Sequence, residues 1–280
     1  LKTFLHAVLV AGALCAHAST VQASFPGDTP DRLQIQVGGT LSTLDTQAAL
    51  GNAQGGVRVM LVFEDFFNLP VHDRYLRGDA AWKFGDKSYL DLGYNNLDRA
   101  AARSIQQDAT FGDYVFQAGA NVEAEFNTLF IYAAYRHDFL QLDPVRISGS
   151  AGLSVVRIEA ALTAAGSVTD LNGNPVTGVV TERSKLFLPV PLLGFQIDWA
   201  TGDTMVLQAY ARAIALDVSG IRGGMIDSGF RYYWWFHRRA AVGAGIDRLA
   251  IGLPSYESED MTARFGYTIQ GFSMFLRGAF

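Results

Sequence analysis

The chain has 280 residues, of which 49% are hydrophobic, 12% aromatic and only 18% charged, with 29 glycines and a formal net charge of −5. So little charge is unlike a soluble enzyme, and its sign argues against a nucleic-acid partner. After the first twenty residues no apolar run is long enough for a membrane-spanning helix: the longest, "LFLPVPLLGF" from Leu186 to Phe195, is too short and carries Pro189 and Pro191.

The N-terminal stretch "LKTFLHAVLVAGALCAHASTVQAS" has one basic residue, Lys2, an apolar segment from Phe4 to about Ala16, and small residues at two cleavage points, after Ala18 or after Ala23. This is the pattern of a secretory signal peptide, expected over residues 1–23. Cys15 is the one cysteine and lies inside it, and the large Leu14 before it speaks against lipid attachment. The mature chain then has no disulfide, and its net charge moves from −5 to −6 because Lys2 leaves without an acid. Stability must come from hydrogen-bond closure and packing.

From Arg32 onward the sequence alternates with period two, the mark of strands with one apolar and one polar face. In "RLQIQVGGTLSTL", Leu33, Ile35, Val37 and Leu41 oppose Gln34, Gln36, Thr40 and Ser42. The pattern returns in "VRISGSAGLSVV", "MVLQAYARA" and "IDSGFRYYWWF". Eleven strands can be placed, starting near Arg32, Gly55, Arg74, Ser88, Val122, Val145, Lys185, Thr204, Met225, Ala240 and Thr262. The period breaks around "FEDFFNLPVHDRY". Short connections near Asp86 and after His137, Trp199 and Trp235 alternate with longer polar ones, at 96–112, 160–184, 217–224 and 252–260. Aromatic residues gather at strand ends, as in "RYYWWFHRR" and "FQIDWA".

The chain closes on "GFSMFLRGAF", where Phe272, Met274, Leu276, Gly278 and Phe280 share one face and Ser273, Phe275 and Arg277 the other. Upstream, Phe265, Tyr267 and Ile269 fall on the opposite parity to Phe272, which suggests a bulge near Gly271. The signal segment, the loop asymmetry, the aromatic belts and the terminal Phe280 resemble the Gram-negative outer-membrane β-barrel class. The resemblance implies an all-β fold, a closed antiparallel transmembrane β-barrel over residues 32–280, preceded by a periplasmic lead-in over 24–31. It further implies an outer-membrane location, contact with outer-membrane lipid and lipopolysaccharide, and Phe280 as the signal read by the barrel-assembly machinery. An even strand number is required: twelve if a strand lies between about Arg103 and Gln117, the preferred count, or ten if one strand before "FGDKS" is a loop.

Motifs for chemistry are thin. The mature histidines are His72, His137 and His237, none beside a serine in a nucleophilic motif, and there is no G-x-S-x-G. "GAGIDR" at Gly243 lacks the third glycine and the helix of a dinucleotide loop. "DLNGNP" at Asp170 lacks the closing acid of a calcium loop and reads as a turn. No cofactor, metal or catalytic residue is expected. Parity assigns Glu123, Glu125, Arg146, Asp198, Arg212, Asp227, Arg231 and Asp247 to the lumen, where acids and bases interleave. The expected role is a structural barrel or narrow channel with a largely packed polar lumen; a barrel acting on surface partners through its long loops is the alternative, and an enzyme the least favoured.

Overall fold

The computed structural model describes residues 25, 32–52, 59–111, 113–176, 178–218, 221–257 and 261–280. The expected signal peptide and both cleavage points lie outside the described residues, as does all of the lead-in except Phe25. The elements in order are β1 (Leu33–Asn52), β2 (Val59–Val62), α1 (Phe63–Phe67), β3 (His72–Lys83), β4 (Ser88–Ser104), β5 (Ala109–Phe111), β6 (Tyr114–Phe116), β7 (Asn121–Leu142), β8 (Val145–Ala165), β9 (Val168–Asp170), β10 (Val179–Ala200), β11 (Met205–Val218), β12 (Ile221–His237), β13 (Ala240–Glu257) and β14 (Met261–Ala279).

Ten of these strands form one closed antiparallel barrel in the order β1-β3-β4-β7-β8-β10-β11-β12-β13-β14, and β14 returns to pair with β1. Closure runs from Gln34↔Ala279 to Asn52↔Met261 without a register shift. Phe280 completes it: its amide donates to Leu33 O at 2.7 Å, and the Leu33 amide donates to Phe280 O at 3.0 Å. Its ring points outward, 66% exposed, in line with Phe272, Met274 and Leu276.

The count is ten, not the preferred twelve. The strand expected near Gly55 is not a wall strand: Val59–Val62 pairs only with Gln47–Leu50 at the upper end of β1, and α1 follows at once. The broken period of "FEDFFNLP" is helical spacing, with Phe63, Phe66 and Phe67 clustered on one side; Asn68, at φ 57°, ends the turn. The strand expected between Arg103 and Gln117 is the hairpin β5–β6, which joins β9 in a separate three-stranded sheet above the barrel. No bulge occurs at Gly271. The shifts in the β12–β13 and β13–β14 ladders fall between Arg222 and Gly224, Trp235 and His237, and Leu253 and Tyr256.

Away from these register shifts, and from one between Asp138 and Leu140 in the β7–β8 ladder, parity is constant along the wall strands, but the chemistry of the two faces exchanges partway up. On β10, residues 187–199 turn Phe187, Pro189, Pro191, Leu193, Phe195, Ile197 and Trp199 outward. At ~3.4 Å per residue this is about 40 Å along the strand, or roughly 30 Å of depth at a tilt of about 40°, enough for a hydrocarbon core. Above it the outward residues become Lys185, Arg183 and Thr181, whereas the inward face turns apolar lower down, from Leu192 through Val190 and Leu188 to Leu186, behind the upper end of that band. The same exchange follows Leu129 on β7, Val155 on β8 and Tyr94 on β4. Below it lipid lies outside and polar groups inside; above it water lies outside, so the inside is an apolar core like that of a soluble barrel.

One seam is incomplete. The β10–β8 ladder is unbroken from Val179↔Ala165 to Trp199↔Val145, whereas the β10–β11 ladder stops at Leu193↔Ala213. Above it, Pro189 and Pro191 lie two apart, so their backbone groups address the same edge, and neither has an N–H to give. Pro189→Val with Pro191→Val supplies two donors to that edge. The expected result is an extended β10–β11 ladder and a higher transition temperature for heat-modifiable gel migration; an unchanged temperature would show that the prolines do not set the seam.

Candidate functional site in the lumen

The lower lumen is a network of arginines, aspartates and phenols contributed by nearly every strand. Tyr210 on β11 stands at its centre. Its hydroxyl donates to Asp247 Oδ1 at 2.6 Å and accepts from Arg231 Nη2 at 3.1 Å and Arg77 Nη1 at 3.3 Å. Arg231 reaches Asp247 at 2.9 Å and Asp79 at 3.7 Å; Arg77 reaches Asp79 at 3.2 Å; Arg212 reaches Asp227 at 3.1 Å. Ser273 donates to Asp247 at 2.6 Å and meets Thr40 at 2.9 Å, which ties the closing strands to the same acid.

A second arginine group lies beside it. Arg136 pairs with Asp91 at 2.8 Å and Asp138 at 3.3 Å and lies over the Tyr89 ring at 4.0 Å. Asp138 also accepts from Ser148 at 2.6 Å and pairs with Arg146 at 3.4 Å. Arg146 in turn lies over the Phe25 ring at 4.3 Å. Gln208 donates to Asp198 at 2.8 Å. Between the groups is a cavity of about 50 Å³, bordered by Gln36, Asp79, Asp91, Arg136, Arg212 and Arg231, with room for water and little else. Each acid meets a base or a donor, which is how a lumen this narrow offsets the cost of burying charge.

The upper lumen is closed differently. α1 turns inward between β1, β4 and β7 and buries Phe67 and Glu64. Phe63 packs edge-on to Phe126, and Phe126 contacts Tyr267 and Phe265. Leu44, Leu97, Phe130, Val156, Leu192 and Ile269 complete the apolar layer. Through it runs one charged bridge. Arg99 on β4, its side chain without solvent exposure, donates to Glu64 Oε1 at 2.6 Å and to Thr46 Oγ1 at 2.6 Å, and the Thr46 amide donates to Glu64 Oε2 at 3.0 Å. Arg99 also lies over the Phe126 ring at 5.0 Å. The plug segment is thus bolted to the wall at two strands.

Of the residues assigned to the lumen from sequence, Arg146, Asp198, Arg212, Asp227, Arg231 and Asp247 face inward and join the network above. Glu123 and Glu125 do not: they lie on the outward face of β7, above the exchange of faces, where the polar side is the outer one. Sequence parity missed Arg77, Asp79, Asp91, Arg136 and Asp138, although "YLRGDAAW", "YLDLGY" and "YAAYRHD" place each of them on the parity of the buried Tyr75, Tyr89 or Tyr132. Gly243 keeps space for Phe275 and Tyr233. The "DLNGNP" segment is a turn in which Asp170 accepts from the Asn172 and Asn174 amides. The histidines lie apart from the lumen network: His72 meets Thr43, His137 meets Ser88 and Tyr135, and His237 accepts from the Arg239 amide.

No family model matches the chain, and no curated protein matches it. Among solved structures it is similar to the outer membrane protease OmpT from Escherichia coli, with a TM-score of 0.58 and 13% identity over 94% of this chain and 100% of that one. It also aligns with the translocator domain of the autotransporter NalP from Neisseria meningitidis, at a TM-score of 0.42 and 15% identity over 97% of this chain and 96% of that one. The likeness to OmpT carries the fold alone.

Removing one partner of the buried bridge leaves the other charged and unpaired, at a cost of about 3–5 kcal/mol. Arg99→Ala and Glu64→Ala should each lower the unfolding midpoint in urea by that equivalent. The double substitution should cost less than the sum of the singles, and strict additivity in this double-mutant cycle would show that the two charges do not interact.

Proposed function

We propose that this outer-membrane-type β-barrel is a sealed structural element of the envelope that presents its loop-built rim to the outside, and that it is not an open pore. The observation that carries this reading is the pair of closures in series: the Tyr210-centred ion network at membrane depth, and above it α1 held in the lumen by the Arg99–Glu64 bridge. Neither closure is a ring of one sign, which ion selectivity would need. The reading assigns no catalytic step. The fold likeness to a protease supplies none at this identity.

A narrow ion path is the second reading, favoured by the water-sized cavity at Arg136 and Arg212. Single-channel recording in planar bilayers separates the two. The wild-type protein is expected to give no steps, or steps far below those of a general porin. Arg231→Ala should leave them so while α1 stays in place, and combined with Glu64→Ala it should produce flickering conductance. Porin-like current with strong ion preference in the wild type would overturn the sealed reading.

A further inference from the structure

One charged group lies outside the lumen and outside the sealing role. On the outer surface Lys185 of β10 stands opposite Glu159 of β8, and Phe187 stands opposite Arg157. Arg157 donates to Glu159 Oε1 through Nη2 at 2.6 Å and Nε at 2.9 Å, and Lys185 Nζ pairs with the same oxygen at 3.1 Å. Hydrogen bonds from Lys185 and then Arg157 hold the Glu159 carboxyl below its usual range, so it is ionised at neutral pH and the trio carries a net positive charge. The bases remain 48% and 62% exposed, with N–H groups left over for another acceptor. Arg183 lies two residues above Lys185, and a small cleft runs between Glu125, Asn127, Glu159, Arg183, Ser184 and Lys185.

Its place on the wall narrows the acceptor. Directly below begins the outward apolar band, with Phe187, Pro189, Pro191 and Leu193 on β10 and Val155 and Leu153 on β8. The cluster therefore sits at the edge of the hydrocarbon, at headgroup depth on the loop side. Next to it is the open seam, where β10 above Leu193 has no β11 partner among the described residues. An edge so placed is tolerated in hydrocarbon only where its backbone groups are few or covered, and the two prolines remove two donors from it.

We propose that this face binds a phosphorylated glycolipid of the outer leaflet. A headgroup phosphate accepts from Arg157 and Lys185, with Arg183 above it, and an acyl chain lies over Phe187, Pro189 and Pro191 beside the seam. Glu159 is a positioning residue: it aims both bases without neutralising them together. A forked guanidinium beside an ammonium suits a phosphate dianion at a water–lipid boundary.

The test uses the full chain, purified in non-ionic detergent and titrated with diphosphoryl lipid A, with the same lipid after phosphatase treatment, and with inorganic phosphate, with bound lipid read by native mass spectrometry. The wild type is expected to bind the diphosphoryl form at least about tenfold more tightly than the dephosphorylated form, the loss anticipated for charge-assisted bonds to one phosphate. Inorganic phosphate at equal concentration should not displace it. Arg157→Gln with Lys185→Gln should lose that preference, whereas Arg157→Lys with Lys185→Arg should keep most of it, and heat-modifiable migration shows whether each variant is folded. Equal binding of the two lipid forms by the wild type, displacement by free phosphate, or an unchanged preference in the folded glutamine variant would each overturn the proposal. If the glutamine variant does not fold, the comparison of lipid forms on the wild type decides.

Discussion

Hydrocarbon offers no partner to a backbone N–H or C=O, so a chain that crosses it as strands must satisfy every such group within the wall. The rest of this structure follows from that demand. It explains why the last residue is ordered: Phe280 exchanges two backbone hydrogen bonds with Leu33 at the closing seam, and its ring lies among the outward apolar residues of β14. It also explains the prolines of "LFLPVPLLGF". They would be costly within a fully paired strand, and they occur where the β10–β11 ladder ends, at an edge that no longer asks them to donate.

The hydrocarbon covers only part of each long strand, and the strands continue into water. Side-chain parity cannot change along an unshifted strand, so the residue types must change instead. β8 shows both regimes in one element. Ser148, Ser150 and Ser154 face the lumen below, while Val156, Ile158 and Leu162 face it above, and Arg157 and Glu159 take the outer face. The result is a lumen of two stacked chemistries. α1 matches the upper one, since its phenylalanines join an apolar layer and its one buried acid, Glu64, meets the one buried base of that layer, Arg99.

This exchange of faces marks what was legible in the sequence and what was not. Period two reflects local backbone geometry and gives the strands directly, while the barrel is read from the alternation of short and long connections and from the resemblance that the closing strand with Phe280 bears to outer-membrane barrels. Deciding which face is inside requires knowing where the membrane ends, and no single strand says so. Treating polar as inward throughout places Glu123 and Glu125 in the lumen and turns the inward Phe265, Tyr267 and Ile269 into evidence for a bulge at Gly271. Both errors have the same cause, because those five residues lie above the hydrocarbon. Arg136 and Asp138 were readable by the correct rule, since they continue the inward series of Phe130, Tyr132 and Ala134 down β7. The helical turn in "FEDFFNLP" was visible only as a failure of alternation: five residues are too few to establish a helical period.

The two closures resist opening for different physical reasons. In the lower network the charges are satisfied by each other, so admitting water replaces ion pairs with hydration at modest net cost, and only geometry keeps the path shut. Gly93, for instance, faces the Tyr132 ring so closely that a Cβ there would stand 1.9 Å from it. In the upper layer the contacts are apolar, and water entering between Phe126, Leu192 and Ile269 gains nothing in return for the surface it exposes. The upper seal is therefore a thermodynamic barrier to water and the lower one chiefly a steric one. Because they lie in series, a path requires both to fail. Loosening the charged network alone would hydrate a blind pocket below α1, and displacing α1 alone would expose an apolar throat above a wall of paired charge.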